Sequence, residues 1–388
     1  MKIEPSNYDG RGPALVKHTF ILRYLPTLIA KTASRYDEFV YVDLFAGPWD
    51  ERTDDMSDTA FGIALHAMRG AKAVWKRNGR TVKMTAHLVD TNPEAIAKQQ
   101  ALAERYPDVA VHHHLGRAEN KLAEILPSIS ANAFCFAFID PKGVPDIRQF
   151  QTLIERPSTE AFLNFMFEFA NRFAHTERMP TLEWLTEESE REAFREEIRG
   201  LSGEAREKAL TDRARFALAR MGGYRFAPAI TVDEEEVDRC LYKLIYLSRH
   251  PQGIQVFRDA QRAALQMQAM NRSGRKSARR AIRSGMDDMF AAIEPVDPAE
   301  RSAKEIRDGI SDGARFAYKL IKDADSTGIT WGHLWPQVLE EKVITHSDLG
   351  SAVVEMRERG QIAIHGWEPR VRKPRDHYNL VLAELDTA

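Results

Sequence analysis

Residues 40–49 read VYVDLFAGPW, an apolar run that contains one acid, Asp43, and ends in an Ala-Gly-Pro turn. Valine and tyrosine in such a run are typical of a strand that is buried on both faces. Gly47 has no Cβ, so the backbone of the turn can approach a ligand closely. The stretch therefore predicts a strand of an α/β sheet whose carboxyl end carries an acid and a ligand-binding turn.

The same order of strand, acid and helix recurs along the first half of the chain. Residues 84–106 predict a strand that ends at Asp90 and a helix after it, and residues 109–116 predict a further strand. Residues 133–143 predict another strand, which ends at Asp140. Apolar strands that alternate with amphipathic helices indicate an α/β fold with a Rossmann-like, mostly parallel sheet covered on both faces.

Three of these strands end in an acid: Asp43, Asp90 and Asp140. Ligands of such sheets bind at the carboxyl ends of the strands, where strand order reverses, so we expect the three carboxylates to face one pocket. Their mutual repulsion is expected to raise the pKa of at least one of them. Each acid also has a structural explanation, because it can cap the next helix or turn, and the proline after Asp140 can end a strand.

The segments that follow complete a first domain. Residues 177–220 are charge-rich with a helical pattern, which predicts a helical insertion. Residues 226–233 and 241–265 predict a final antiparallel pair of strands and a helix. We therefore expect a Rossmann-like domain over residues 1–270.

The C-terminal part of the chain has a different composition. Residues 271–312 are basic, glycine-dotted and turn-rich, which is typical of a linker. Residues 313–388 predict three short helices followed by a two-stranded basic hairpin. This order of elements is the pattern of a winged-helix domain, which binds nucleic acid or docks proteins.

Any attraction to nucleic acid must come from local patches, because the formal net charge is only -2. The twelve residues RSGRKSARRAIR (272–283) hold six basic residues and no acid, which suits either a phosphate backbone or a solvated segment. The predicted hairpin has a second basic cluster beside Trp367. The candidate nucleic-acid contacts are Arg275, Lys276, Arg279, Arg280, Arg283, Arg370, Arg372 and Lys373.

Other classes of protein and site are not indicated. Cys135 and Cys240 lie in apolar runs and are expected to be buried thiols, which fits a reducing, cytoplasmic location. No apolar stretch approaches the roughly 20 residues that span a bilayer, so no membrane is expected. Of the histidines at 112–114, only His112 and His114 share a strand face, and no cysteine or carboxylate lies at ligand spacing, so no metal is expected.

Two of the strand ends resemble motifs of the class I S-adenosylmethionine-dependent methyltransferases. DLFAG (43–47) resembles their first motif, although Trp49 stands where a second glycine is usual. IDPKG (139–143) resembles the (Asp/Asn)-Pro-Pro-aromatic motif of the amino methyltransferases, with a match at Asp140 and Pro141 only. Asp90 resembles the acid that holds the ribose of the cofactor.

A wider resemblance covers nearly the whole chain. The segments KH (17–18), YVDLFAGP, LVDTNPEA, FIDPKG, LNFMFEFANRF and LYKLIYLSRHPQG, followed by the predicted winged helix, resemble the three-Cys-motif partner protein family. That bacterial family has a methyltransferase-like fold. It is named for its association with a radical-SAM-like protein that bears three cysteines, so the resemblance implies such a protein as a partner.

The resemblances imply S-adenosylmethionine as the cofactor and methyl transfer as the reaction. The cofactor-binding residues would be Lys17, His18, Asp43, Phe45, Ala46, Gly47, Pro48 and Asp90. Asp140 and the carbonyl of Pro141 would accept hydrogen bonds from a target amine, with Lys142 near a phosphate or carboxylate of the substrate. The expected substrate is a nucleic acid. The alternatives are a catalytically silent methyltransferase fold that binds nucleic acid or a protein partner, and methylation of a protein or small molecule.

Overall fold

A computed structural model of the chain describes residues 1–48, 50–176, 180–234, 239–284 and 298–383. Within these ranges the side chains of residues 180, 272–284, 298–302 and 325 are not described. Trp49 and the side chains of the basic residues at 275–283 therefore lie outside the described part.

Seven strands of the described chain form one sheet in the order β3-β2-β1-β4-β5-β7-β6. β1 to β5 pair in parallel, whereas β7 is antiparallel to both β5 and β6. The strands are β1 Glu38–Asp43, β2 Lys83–Asp90, β3 Ala110–Leu115, β4 Phe134–Ile139, β5 Thr159–Phe165, β6 Ala229–Asp233 and β7 Cys240–Leu247. The predicted Rossmann-like, mostly parallel α/β sheet is confirmed.

Strand order reverses at β1, which pairs with β2 on one side and with β4 on the other. Crevices for ligands open at such a reversal, outside the carboxyl ends of the strands. β1 ends at Asp43, which places the acid and the turn after it at that edge of the sheet.

Nine helices of the described chain surround the sheet: α1 Gly12–Thr32, α2 Ala60–Arg77, α3 Pro93–Ala103, α4 Ala118–Ile125, α5 Gln151–Glu155, α6 Phe167–Phe173, α7 Arg191–Gly200, α8 Gly203–Gly222 and α9 Pro251–Ser284. Short 3-10 helices occupy Pro5–Tyr8, Leu126–Ser128, Ile147–Phe150, Pro180–Leu185 and Glu188–Glu190. In the described ranges, no helix combines the length and apolar character that crossing a bilayer requires.

Helix starts follow from local sequence. The Asn92 side chain accepts a hydrogen bond from the Glu94 N–H, and Pro93 takes the first position of α3. Thr59 caps α2 in the same way through the N–H of Gly62. Pro26 predicts a kink or a late start of α1, and the start of the helix at Gly12 rules out the late start.

One core lies between α1, α2, α9 and one face of the sheet. The rings of Phe20 and Phe162 stack there with centroids 4.7 Å apart, and Tyr246 stacks on Phe257 at 5.1 Å. Burial of each such aromatic side chain stabilises the fold by roughly 1.5–3 kcal/mol. This packing fixes α1, which carries Lys17 and His18, above the ends of the strands.

The second core covers the opposite face and includes the charge-rich helices. Leu210 and Leu218 of α8 are fully buried, and α8 packs on α5, α6 and β7. The predicted helical insertion is largely helical over its described residues, 180–220, and its apolar stripe forms part of this layer.

The C-terminal unit follows α9. It consists of α10 Pro298–Asp323, a 3-10 helix at Asp325–Thr327, β8 Ile329–Thr330, α11 Trp331–Glu341, α12 His346–Glu358, β9 Ile362–His365 and β10 Asn379–Leu382. Its sheet has the order β8-β10-β9, all antiparallel. The sequence predicted only the β9-β10 pair, because two residues are too few for β8 to show a strand pattern. The winged-helix interpretation of this unit stays a prediction.

The segment expected to be a linker is helical where the structure describes it. Residues 271–284 continue α9, and residues 298–312 belong to α10.

Arginine side chains join the C-terminal unit to the first domain. Arg258 of α9 donates from Nε to the Leu339 carbonyl at 2.6 Å, and Arg215 of α8 donates from Nη2 to Glu340 Oε1 at 2.8 Å. Phe226 and Ile254 share one apolar cluster with the helices of the C-terminal unit. The unit is therefore packed against the first domain.

Candidate ligand-binding site

A cavity of about 410 Å³ opens at the carboxyl ends of the central strands. Its wall is built from α1, the turn after β1, the start of α2, the ends of β4 and β5, and β7. The cavity thus lies where strand order reverses, as expected for an α/β sheet.

Most of the residues that the sequence predicted for the cofactor and for catalysis line this cavity. They are Lys17, His18, Asp43, Phe45, Ala46, Gly47, Asp140, Pro141 and Lys142. Pro48 and Asp90 are not among the described residues that line it. Two of the three strand-end acids therefore share the cavity.

Asp43 is a buried carboxylate, only 1% exposed. The Tyr41 hydroxyl donates to Oδ2 at 3.0 Å, and the Phe45 N–H donates to Oδ1 at 3.1 Å. Within the described residues, Asp43 forms no ion pair. Burial raises the pKa of Asp43 to about 7, helped by repulsion from Asp140. A raised pKa was predicted from repulsion, but burial is the larger cause.

Asp140 is held from two sides. Lys17 Nζ forms an ion pair with Oδ2, and Asn164 Nδ2 donates to Oδ1 at 2.7 Å. The side chains of Lys17 and Asp140 are 15% and 16% exposed. The carboxylate is therefore fixed in orientation and charge-compensated.

Asn164 is a cavity residue that the sequence analysis missed. It lies in β5, is 7% exposed, and its Oδ1 atom has no hydrogen-bond partner among the described residues. The signal was an asparagine inside the apolar run AFLNFMF.

His18 faces the cavity from α1, and its Nδ1 lies 3.0 Å from the Tyr8 hydroxyl. Burial, with the charges of Lys17 and Arg11, lowers the pKa of His18 well below its ordinary value. The ring is therefore neutral at pH 7, and it adds a polar group to the wall without adding a charge.

A second ion pair, also missed from sequence, fixes the loop before α2. Arg11 Nη1 donates to Asp58 Oδ2 at 2.8 Å and to the Asp50 carbonyl at 2.6 Å. Asp50 and Met56 have φ of 51°, which is strained for residues with a Cβ. Gly62 leaves room for the Met56 carbonyl, which a Cβ would meet. These contacts hold the loop as one wall of the cavity.

Asp90 ends β2, the neighbour of β1, and its Oδ1 accepts a hydrogen bond from the Asn92 N–H at 2.6 Å. This contact forms a turn before α3, whereas the helix itself is capped by Asn92, so Asp90 is not its N-cap. A role of Asp90 in binding ribose stays a prediction.

The histidines of β3 alternate between the two faces of the sheet. His112 and His114 lie on the same face of the sheet as His87 of β2. The Nδ1 atom of His87 is 3.1 Å from the Nε2 atom of His114. Among the described residues, no group of three or more His, Cys, Asp or Glu side chains is arranged to hold a metal ion.

The candidate nucleic-acid contacts lie in two places. Arg370, Arg372 and Lys373 are exposed on the segment between β9 and β10. The other five, at 275–283, lie in the part of α9 whose side chains are not described. Trp367 is stacked by Arg357, whose guanidinium carbon is 4.8 Å from the ring centroid.

No family model matches the chain, and no curated protein sequence matches it. Protein LPL1258 from Legionella pneumophila str. Philadelphia 1, of the DUF519 family model, is 10% identical over 65% of this chain and 91% of its own, with a TM-score of 0.38. A putative methyltransferase from Thermobifida fusca YX is 12% identical over 63% and 85%, with a TM-score of 0.33. The bifunctional kinase-methyltransferase WbdD is 16% identical over 64% and 42%, with a TM-score of 0.30. At such low TM-scores, these likenesses carry no argument about function.

Proposed function

We propose that this protein is an S-adenosylmethionine-dependent methyltransferase that acts on an amino group of a nucleic acid. The observation that carries the proposal is the buried Asp43 carboxylate, which lies in the cavity at the strand reversal with neutral donors and without an ion pair among the described residues. A buried carboxylate of this kind favours a cationic ligand.

The residues present fit such a cofactor. S-adenosylmethionine carries an ammonium group and a sulfonium group, and Asp43 offers the opposite charge. When bound, the cofactor supplies a methyl group already activated for transfer. The turn at Ala46 and Gly47 allows close approach of the backbone, and Asp90 on the neighbouring strand end would accept hydrogen bonds from the ribose hydroxyls.

The chain itself would mainly align the acceptor. Asp140 and the carbonyl of Pro141 accept hydrogen bonds from the amine, so that its lone pair faces the methyl group, and Lys142 lies near a phosphate of the substrate. Alignment of two reactants contributes about 7–11 kcal/mol to catalysis in favourable cases. Phe45, Phe138 and Met166 line the cavity and exclude water.

A nucleic acid is proposed as the substrate because the C-terminal unit is interpreted as a winged helix. Arg370, Arg372 and Lys373 are exposed there and would contact phosphates, as would the basic residues at 275–283. Because such contacts release counterions, binding is expected to weaken steeply with salt.

One observation favours the alternative, a catalytically silent fold that binds nucleic acid or a protein partner such as the three-Cys-motif protein. Both oxygens of Asp140 already accept a hydrogen bond from within the chain, from Lys17 and Asn164. In the alternative, this arrangement is purely structural.

Calorimetric titration with S-adenosylmethionine and with its demethylated product tests the proposal. We expect binding to the natural protein and at least tenfold weaker binding to Asp43→Ala. Asp37→Ala is the matched control, because Asp37 precedes the same strand at its other end with a side chain that is 91% exposed. No binding to the folded natural protein would favour the silent alternative.

The acceptor is tested by transfer of labelled methyl groups to total RNA and to total DNA. The charge reversal of Arg370 and Arg372 to Glu is expected to abolish transfer to nucleic acid, and natural activity is expected to fall steeply with salt. Unchanged transfer by this variant would point to a protein or small molecule as the acceptor.

A further inference from the structure

A buried glutamine contacts the turn that follows β1. Gln99 of α3 is fully buried, and its Nε2 donates to the carbonyl of Ala46 at 2.9 Å. Ala46 belongs to the turn that lines the cavity together with Phe45 and Gly47. Gln99 itself is not among the described residues that line the cavity. The turn therefore lies between α3 and the cavity.

The orientation of the Gln99 amide is determined at both of its polar atoms. Oε1 lies 3.3 Å from Nδ1 of His113 on β3. Because an amide oxygen only accepts hydrogen bonds, His113 is the donor in this contact. The flipped amide would place its oxygen against the Ala46 carbonyl, two acceptors without a proton between them. Nε2 is therefore the atom directed to Ala46.

Backbone hydrogen bonds fix the same turn to the sheet. The Leu44 N–H donates to the Phe138 carbonyl at 3.1 Å, and the Ala46 N–H donates to the Val89 carbonyl at 2.8 Å. These contacts join the turn to β4 and β2, the two neighbours of β1. Both backbone polar atoms of Ala46 are thus bonded, the carbonyl through Gln99.

The contact with Gln99 sets the direction of the next N–H group. The peptide unit between Ala46 and Gly47 is trans, as are the others of the described chain. In a trans unit the C=O and the following N–H point in opposite directions. Because the Ala46 carbonyl points to Gln99, away from the cavity, the Gly47 N–H points to the cavity side. Gly47 is partly exposed and has no side chain to cover this N–H, so a ligand can reach it.

The N–H group calls for an acceptor on the ligand. A carboxylate is the strongest acceptor that S-adenosylmethionine carries. Asp43 begins the same turn, and its Oδ1 accepts from the Phe45 N–H. The proposed function gives Asp43 the ammonium group of the ligand. In an α-amino acid the ammonium and the carboxylate are bonded to one carbon, so the carboxylate would lie within reach of the turn.

We propose that Gln99 is a positioning residue that directs the Gly47 N–H towards the carboxylate in the amino-acid part of S-adenosylmethionine. This inference rests on the proposed function. Gln99 does not touch the ligand and acts through the peptide unit between Ala46 and Gly47. With Gln99 in place, the donor is oriented before the ligand arrives, so less conformational freedom is lost on binding. Without it, this peptide unit is free to rotate.

Calorimetric titration with two ligands that share a nucleoside tests the inference. The demethylated cofactor has the amino-acid part, whereas methylthioadenosine lacks it. Gln99→Met keeps the length of the side chain and removes the amide. It should bind the demethylated cofactor about tenfold more weakly than the natural protein, the effect of one hydrogen bond to a charged group. Its affinity for methylthioadenosine should fall less than about twofold, whereas a merely structural role of Gln99 would weaken both ligands equally.

Gln100→Met is the matched control, because Gln100 is the next residue of α3 and is exposed. It should bind both ligands as the natural protein does. Gln99→Glu keeps the shape of the side chain but places an oxygen against the Ala46 carbonyl. It should weaken binding of the demethylated cofactor at least as much as Gln99→Met, and thermal unfolding reports whether each variant folds.

A measurement on the natural protein decides the question if the Gln99 variants do not fold. In proton–nitrogen correlation NMR, the Gly47 amide signal should shift when the demethylated cofactor binds. The shift should be much smaller with methylthioadenosine, which brings no carboxylate to the turn.

The outcomes separate the two proposals. Absence of binding of S-adenosylmethionine and its demethylated product to the folded natural protein overturns the proposed function and this inference with it. Natural affinity of Gln99→Met for the demethylated cofactor, or an equal loss for both ligands, overturns the inference alone. A Gly47 amide signal that stays in place when the demethylated cofactor binds does so as well.

Discussion

Lys17 of α1 and Asp140 at the end of β4 form an ion pair in the cavity wall, although 123 positions separate them in the chain. The pair joins the helix above the sheet to the strand end that carries the candidate catalytic acid. Because both side chains are largely buried, loss of one partner leaves the other charge poorly solvated.

We therefore expect a coupling free energy of about 1–3 kcal/mol between these residues, which exceeds that of exposed pairs. The measurement is urea unfolding of Lys17→Met, Asp140→Asn and the double variant. Lys2 and Glu4 form an exposed pair and serve as the control, with an expected coupling near zero. Equal coupling in the two pairs would show that the Lys17 contact adds no stability.

The raised pKa of Asp43 predicts that the free energy of unfolding depends on pH. Its pKa is about 7 in the folded protein, against an ordinary value of 3.8. The folded state thus binds the proton more tightly, so this group lowers stability as pH rises from about 4 to 7, and the cost is complete above that range. Asp43→Asn should be more stable than the natural protein at pH 8 by a few kcal/mol, on the order of 1.4 per pKa unit, and not at pH 4.

Thermal and urea unfolding at several pH values give the difference between Asp43→Asn and the natural protein. Asp37→Asn, at the exposed other end of the strand, is the control for the substitution itself. A pH-independent difference for Asp43→Asn would contradict the buried carboxylate as its source.

The same ionisation predicts how a cationic ligand binds. Only the charged form of Asp43 attracts a cation, and with a pKa of about 7 this form increases about tenfold between pH 6 and pH 8. S-adenosylmethionine should therefore bind about tenfold more tightly at pH 8 than at pH 6. Titration calorimetry of the natural protein and Asp43→Asn measures this, and the variant should lose that part of the pH dependence. An identical pH profile in the two proteins would place the ligand away from Asp43.

The sequence predicted the sheet and the acids because these signals are local. An apolar run of five or six residues that ends in aspartate is visible without any knowledge of its neighbours, and Asn92 with Pro93 marks a helix start in the same way. The parallel arrangement then brings strand ends together, which is why Asp43 and Asp140 share a cavity.

The remaining features depend on contacts between distant parts of the chain. Arg11 meets Asp58 only after the loop before α2 has folded onto α1, and the Lys17 contact with Asp140 requires the whole sheet. The expected linker shows a different failure: its glycines and charges suggested irregular structure, yet its described parts belong to α9 and α10. Glycine weakens a helix by only about 1 kcal/mol, which the rest of a long helix can offset.

The contacts of Glu340 predict how strongly the C-terminal unit is attached to the first domain. Its Oε1 accepts hydrogen bonds from Arg215 Nη2 at 2.8 Å and from the Ala227 N–H at 3.0 Å. Arg215 is 7% exposed, so Glu340→Ala leaves a buried guanidinium with less compensation. We expect a loss of about 3 kcal/mol in the free energy of unfolding, the low end for a broken buried pair, because Asp212 and Glu341 remain close.

Hydrogen exchange should locate this loss at the contact between α8 and α11. The demethylated cofactor should bind Glu340→Ala and the natural protein equally well, because Glu340 does not line the cavity. Glu355→Ala is the control, since Glu355 forms an exposed pair with Arg359 within α12 and its removal should cost little. If Glu340→Ala behaves like this control, the apolar cluster around Phe226 and Ile254 holds the unit without help from the ion pair.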